Sequence, residues 1–182
     1  MKKSLALLSS TFAACAVAAL IVSSCHAETD KTEKVNAGKP APELSVTQWI
    51  QGPEMQVTTG QVTVVEFWAT WCPPCLESIP HLNEIYKTHK ENGLAVVGLS
   101  DEKPNVVKAF VEKQGDKMTY PVAIGSKADY ANYMGAWGVN GIPHAFVVGR
   151  EGDVVWQGHP MEPAFENAIK KALDKDSADA LK

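Results

Sequence analysis

Trp71-Cys72-Pro73-Pro74-Cys75 sets two cysteines three positions apart and fills the gap with two prolines. Thiols at that spacing support three kinds of chemistry: half of a zinc site, a structural disulfide, or a dithiol pair that opens and closes by exchange with other disulfides. A structural zinc site needs four ligands. No second Cys-x-x-Cys or paired-histidine set is present, and His26, His81, His89, His144 and His159 are scattered, so no metal site is expected. A purely structural bridge closing so short a loop adds little stability compared with one closing a long loop. Reversible exchange remains, and it requires an activated thiol.

The elements around the pair are suited to activate one. Val62-Thr63-Val64-Val65-Glu66-Phe67-Trp68 is a β-branched and aromatic run with little alternation, the pattern of a strand buried on both faces of a parallel sheet. Leu76, Ile79, Leu82, Ile85 and Tyr86 recur at helical spacing to about Lys90, and Gly93 ends that helix. The cysteines therefore fall directly after a buried strand, at the first turn of a helix. Pro73 and Pro74 are tolerated there because first-turn amides have no intrahelical partner. Those free amides and the helix dipole favour an anion, and a thiolate at Cys72 is that anion. In such settings a thiol pKa falls from about 8.5 to between about 3.5 and 7.5.

Glu66 interrupts the apolar strand six positions before Cys72. Burying a carboxylate is costly and raises its pKa, which makes Glu66 a candidate acid/base. His144, next to Pro143, is read as structural, since alternation along a strand sends its side chain away from that of Ile142. For Trp68, core filling is at least as good a reading as recognition.

Further along, Leu94 to Leu99 is a second buried strand, Val106, Val107, Phe110 and Val111 mark a helix opened by Asp101 and Pro104, and Tyr120 to Ile124 is a third strand. Ala128 to Met134 is a short helix. Ala145 to Val148 and Val154 to Gln157 are strands joined by a turn at Glu151-Gly152-Asp153, and Pro163 to Leu173 is the final helix. Upstream, Leu44 to Ile50 and Met55 to Thr59 flank Gly52-Pro53 as a short hairpin. Helices alternating with apolar strands argue for a mixed sheet covered on both faces.

The 182 residues suit one globular domain, with 45% hydrophobic and 21% charged residues. The start of the chain reads as an export signal: Lys2 and Lys3 form a charged region, and Leu5 to Val22 is apolar apart from Ser9, Ser10 and Thr11. Val22-Ser23-Ser24-Cys25 resembles a bacterial lipobox, in which the cysteine becomes the acylated first residue; cleavage after Ala27 is the alternative. Cys15 leaves with the signal in either case. The formal charge is −4; without Lys2 and Lys3, 15 basic residues face 21 acidic ones, a balance of −6 that argues against nucleic acid as a partner. The expected organisation is a signal at 1–24, a polar tether at 25–37, a folded domain at 38–176 and a tail at 177–182.

The stretch Phe67-Trp68-Ala69-Thr70-Trp71-Cys72-Pro73-Pro74-Cys75 resembles the active-site segment of the TlpA/ResA-like envelope thiol-disulfide oxidoreductases. Gly141-Ile142-Pro143 resembles their cis-proline loop, Pro80 their helix-kink position, and Gly38 to Leu44 their entry segment; the likeness runs from about Gly38 to Leu173. It implies a thioredoxin-like three-layer α/β/α sandwich, α/β in class, with a mixed central sheet. An N-terminal hairpin extension and a helix/strand insertion after the second core strand are added to it. It also implies a redox-active Cys72–Cys75 disulfide in which Cys72 attacks and Cys75 resolves, with Glu66 serving Cys75 as acid/base. Trp71, Pro73, Pro74, Ile142 and a cis Pro143 would then receive an extended substrate segment.

The substrates implied are disulfide-bearing exported proteins, the electron donor is a membrane thiol reductant, and the place is the periplasmic side of the cell envelope, with a lipid anchor at Cys25. No cofactor is expected. Many ResA-like proteins carry a glutamate three residues after the second cysteine where this chain has Ser78, so their pH-dependent switching and cytochrome c specialisation are not carried over. Two other functions fit the same fold. A redoxin-type thiol peroxidase would normally show Thr-x-x-Cys, which is missing. A copper-binding assembly factor would space its cysteines one residue further apart and add a distant histidine. Whether the pair runs as reductase or oxidase is left open, because potentials on this fold span about −270 to −120 mV.

Overall fold

Strands and helices alternate in the computed structural model, which describes residues 38–179, with side chains to 174. In chain order they are β1 (Gln48–Gln51), β2 (Val62–Phe67), α1 (Pro73–His89), β3 (Leu94–Ser100), α2 (Pro104–Gln114), β4 (Val122–Ile124), α3 (Lys127–Asp129), β5 (His144–Val148), β6 (Val154–Gly158) and α4 (Pro163–Asp179). The expected signal, tether, lipidation site at Cys25 and last three residues lie outside the described residues. Among these residues no helix is long and apolar enough to cross a membrane.

One mixed sheet runs in the order β1-β4-β3-β2-β5-β6. β2 pairs parallel with β3 and β3 with β4, whereas β5 is antiparallel to β2, β6 to β5 and β1 to β4. Every residue of β2 and β3 is buried, as the unalternating apolar runs require of central strands covered on both faces. Successive side chains of β2 separate into two cores. Val62, Val64 and Trp68 pack with Ile79 and Leu82 of α1, Val107 of α2 and Phe165 and Ile169 of α4. Val65 and Phe67 pack on the opposite face with Leu44, Tyr133, Met134 and Trp137. The helix/strand insertion after the second core strand is α2 with β4.

The structure corrects the sequence reading in four places. The N-terminal hairpin does not form: Met55 to Thr59 contains no strand, and β1 pairs instead with β4, register Gln48↔Ile124. The cause is nonlocal. β4 would otherwise leave its backbone groups open at the sheet edge, and Gln51 reinforces the distant pairing by donating from Nε2 to the carbonyls of Met118 (2.8 Å) and Tyr120 (2.9 Å). Met55 and Val57 pack on the second core without joining the ladder. Asp101 does not open α2, whose N-cap is Lys103 with Pro104 following and no side-chain cap. The short helix is three α-helical residues followed by a π-helical Tyr130–Gly135, which turns the buried Tyr133 and Met134 towards the second core. The final helix continues past Leu173 and past 176.

Gly93 ends the first helical stretch with φ +90, a left-handed conformation that glycine adopts without a steric penalty. Gly98 in β3 is needed for another reason: a Cβ there would lie 2.9 Å from Trp68 Nε1 and 3.1 Å from Tyr120 Cε2. Both rings are fully buried and cannot swing aside. Gly98→Ala is therefore expected to destabilise the fold by about 1–3 kcal/mol, read as a lower guanidinium midpoint at unchanged slope; an unchanged midpoint would show that the two rings repack freely.

Candidate active site

β2 delivers the chain to the site. Its ladder extends one residue further, Trp68 N–H donating to Leu99 O at 3.0 Å, and then Ala69-Thr70-Trp71-Cys72 turns back with Cys72 N–H donating to Ala69 O at 3.2 Å. The turn ends on the N-cap of α1. Cys72 is that N-cap, in extended conformation, and its sulfur accepts from the Cys75 amide at 3.3 Å; Pro73 and Pro74 occupy the first two helical positions. The Cys75 N–H is one of the orphan donors of a helix start, aimed at Cys72 Sγ, so the helix supplies the polar partner a thiolate needs. Pro80 lies inside α1 without ending it.

Cys72 and Cys75 form a disulfide, with their Cα atoms 5.3 Å apart. Cys75 is fully buried and Cys72 is 3% exposed, whereas the neighbouring Trp71 is 68% exposed. Access to the pair is therefore from the Trp71–Cys72 side. The Ile142–Pro143 bond is cis, as expected, and brings the Ile142 carbonyl to 3.7 Å from Cys72 Sγ. Pro143 is buried and Ile142 half-buried, and the loop passes directly into β5, which pairs with β2. The fold thus brings Trp71, Cys72, Pro73, Pro74, Ile142 and Pro143 to one end of the sheet.

Glu66 is fully buried and pairs in register with Gly98. It sits between Val64 and Trp68 on β2, so alternation places it on the face whose core includes Cys72 and Cys75. Tyr120 Oη donates to Glu66 Oε2 at 3.5 Å, and Glu66 Oε1 has no hydrogen-bond partner in the protein. Burial pushes its pKa from 4.5 up to about 8, against a smaller lowering effect of the Tyr120 hydrogen bond. A carboxyl that changes protonation near pH 8, on the same face as the core that holds Cys75, has the properties of an acid/base group.

His144 is not a member of this set. Its Nε2 lies 3.3 Å from Gln157 Oε1, its ring packs against Phe146 at 5.1 Å between centroids, and burial lowers its pKa. Ser78, where a glutamate was noted as missing, is buried and donates to Cys75 O at 2.9 Å. Among the described residues no group of three or more His, Cys, Asp or Glu side chains could hold a metal ion. Sequence reasoning did not find Thr70, Tyr120 or Glu102: Glu102 accepts from Thr70 N at 2.7 Å and from Thr70 Oγ1 at 2.7 Å. The acidic pair Asp101-Glu102 after a buried strand was a visible signal, without any indication of which residue it would reach.

Comparison with known proteins agrees with this geometry. Residues 37–157 match the model of the AhpC/TSA family. A protein named thiol-disulfide oxidoreductase ResA from Bacillus thuringiensis (strain Al Hakam) is 36% identical over 146 residues, covering 76% of this chain and 80% of the relative. A ResA from Bacillus cereus (strain ZK / E33L) is 37% identical over 146 residues, with the same coverage of 76% and 80%. Among solved structures, a thiol:disulfide interchange protein of the thioredoxin family from Chlorobium tepidum TLS superposes with a TM-score of 0.64 at 29% identity, covering 77% of this chain and 99% of that one. Two cysteines bridged at a helix start fit the thiol-disulfide chemistry that these names state, and the chain belongs to the AhpC/TSA family as a thioredoxin-fold thiol-disulfide oxidoreductase of the ResA-like kind.

Proposed function

We propose that the protein reduces disulfides of exported proteins on the outer side of the cytoplasmic membrane, by a cycle between the Cys72/Cys75 dithiol and its disulfide. The observation that carries the reading is the disulfide itself, built on a helix N-cap beside the Ile142 carbonyl, with the buried Glu66 behind it. The Cys72 thiolate attacks one sulfur of the substrate disulfide, forming a mixed disulfide and releasing the other sulfur as a thiolate that takes a proton from water. Glu66, in its ionised form, takes the Cys75 proton; the Cys75 thiolate attacks Cys72 Sγ and frees the second substrate sulfur. Two electrons have then passed to the substrate, and the protein holds its own disulfide.

Trp71, Pro73 and Pro74 form one wall of the docking face, and the Ile142–Pro143 backbone forms the other, where an extended segment can pair. A membrane thiol reductant returns the pair to the dithiol, and a lipid at Cys25 holds the domain near it. The names of the relatives support the exchange chemistry, and the export signal supports the compartment.

The test is a redox titration with an activity arm. A Cys72/Cys75 potential near about −250 mV or below, together with insulin reduction that exceeds peroxide consumption, is the expected result. A value near about −120 mV would make the protein an oxidant, and faster peroxide consumption a peroxidase.

A further inference from the structure

We propose that Glu102, in the turn between β3 and α2, is a positioning residue for the exchange reaction: it locks the turn that carries Trp71 and Cys72, and its charge makes the pair a stronger reductant. The proposal rests on the reading that Cys72 and Cys75 exchange with other thiols, and it names what tunes that exchange.

The lock is a set of hydrogen bonds on one carboxylate. Thr70 donates from its backbone N–H to Oε2 and from its hydroxyl to Oε1, both at 2.7 Å, so the carboxylate grips a single residue with both oxygens. Ser100 Oγ donates to Oε2 at 3.1 Å and accepts from the Glu102 N–H at 3.3 Å, which fixes the carboxylate to the buried end of β3. Hydrogen bonds to an ionised acceptor are shorter and about twice as strong as neutral ones. The gripped residue is the second of the four-residue turn Ala69–Cys72. Trp71 projects into solvent and cannot anchor that turn by packing. The carboxylate ties the outgoing ends of β2 and β3 together just where the nucleophile leaves the sheet.

The charge acts in a definite direction. A thiolate at Cys72 is favoured by the helix start, and a fixed negative charge bonded two residues ahead of it disfavours that thiolate. Destabilising the thiolate destabilises the dithiol form relative to the disulfide, so the protein gives up electrons more readily. Other charges near Cys72 do not cancel this. The first turn of α1 holds no acidic residue, Gly141-Ile142-Pro143 carries no charge, and His144 of β5 is engaged by Gln157. Asp101 and Lys103 flank Glu102 as exposed groups of opposite sign, Glu77 lies on the exposed side of α1, and Glu66 is buried in the sheet behind.

The experiment is the thiol-disulfide equilibrium of the folded protein with glutathione, in Glu102→Gln and Glu102→Asp. The amide keeps an acceptor for Thr70 and loses the charge; the aspartate keeps the charge on a shorter arm. Glu102→Gln is expected to shift the equilibrium about tenfold towards the dithiol, equal to about 30 mV, and to speed alkylation of Cys72 by iodoacetamide at pH 7. Glu102→Asp is expected to stay within about threefold of the wild type, since the charge remains close to the turn. A Glu102→Gln equilibrium equal to that of the wild type, or an equal shift in both variants, would overturn the proposal. A wild type that fails to reduce insulin sinks the reductase reading but leaves this measurement standing, because glutathione exchange needs no protein substrate.

Discussion

Cys72→Ser is expected to abolish insulin reduction, lowering the rate by about three orders of magnitude or more, whereas Cys75→Ser is expected to keep the first step and accumulate a mixed disulfide with substrate. The asymmetry follows from the helix start. Cys72 Sγ receives the Cys75 amide and lies beside the Ile142 carbonyl, while Cys75 is sealed in the core with Ile79 and Leu82. The residual exposure of the pair belongs to Cys72, and the exposed Trp71 marks the side of approach. An incoming disulfide therefore meets Cys72 first, and a serine in its place offers an alkoxide that is scarcely populated at neutral pH. Mass spectrometry of each variant after incubation with an excess of oxidised peptide checks both halves. A covalent adduct on Cys72→Ser and none on Cys75→Ser would reverse the assignment of attacker and resolver.

Much of this site was legible in the sequence because its determinants are local. Two prolines after a cysteine and just ahead of apolar residues at helical spacing suit the first turn of a helix, and the largely apolar run before them suits a central strand; both follow from nearest-neighbour sterics and burial. The parts that were not legible depend on partners far away in the chain. The β1–β4 pairing joins Gln48 to Ile124 across two intervening strands and helices, whereas a hairpin about Gly52-Pro53 needs nothing but its own turn, so a local reading prefers the hairpin. Glu102 reaches back 32 positions to Thr70, and Tyr120 reaches 54 positions to Glu66. No spacing rule connects such residues, since parallel strands are joined by crossovers whose length says nothing about register. Glu66 was recognisable as a misfit in an apolar run, but its partner and the free Oε1 were not.

The second large effect is expected from Glu66→Gln, and it has two readouts with opposite dependence on folding and catalysis. Burial raises the Glu66 pKa from 4.5 to about 8 in the folded state, while an unfolded chain leaves it near 4.5. Between those values the folded protein holds a proton that the unfolded chain has lost, so the stability that this group contributes is complete below pH 4.5 and lost progressively as pH rises to about 8. Glutamine does not titrate. Relative to Glu66→Gln, the wild type should therefore lose about 1.4 kcal/mol per pH unit, or roughly 4 kcal/mol between pH 5 and 8, as measured by guanidinium denaturation of the oxidised proteins. Catalysis moves the other way. In the proposed cycle ionised Glu66 takes the Cys75 proton, so release of the mixed disulfide in the wild type is expected to accelerate as pH rises through about 8. In Glu66→Gln that step should slow by about 100-fold and lose this inflection. A stability difference that stays constant from pH 5 to 8 would show that Glu66 is ionised in the folded protein, and a wild-type release rate in Glu66→Gln would remove it from the proton path to Cys75.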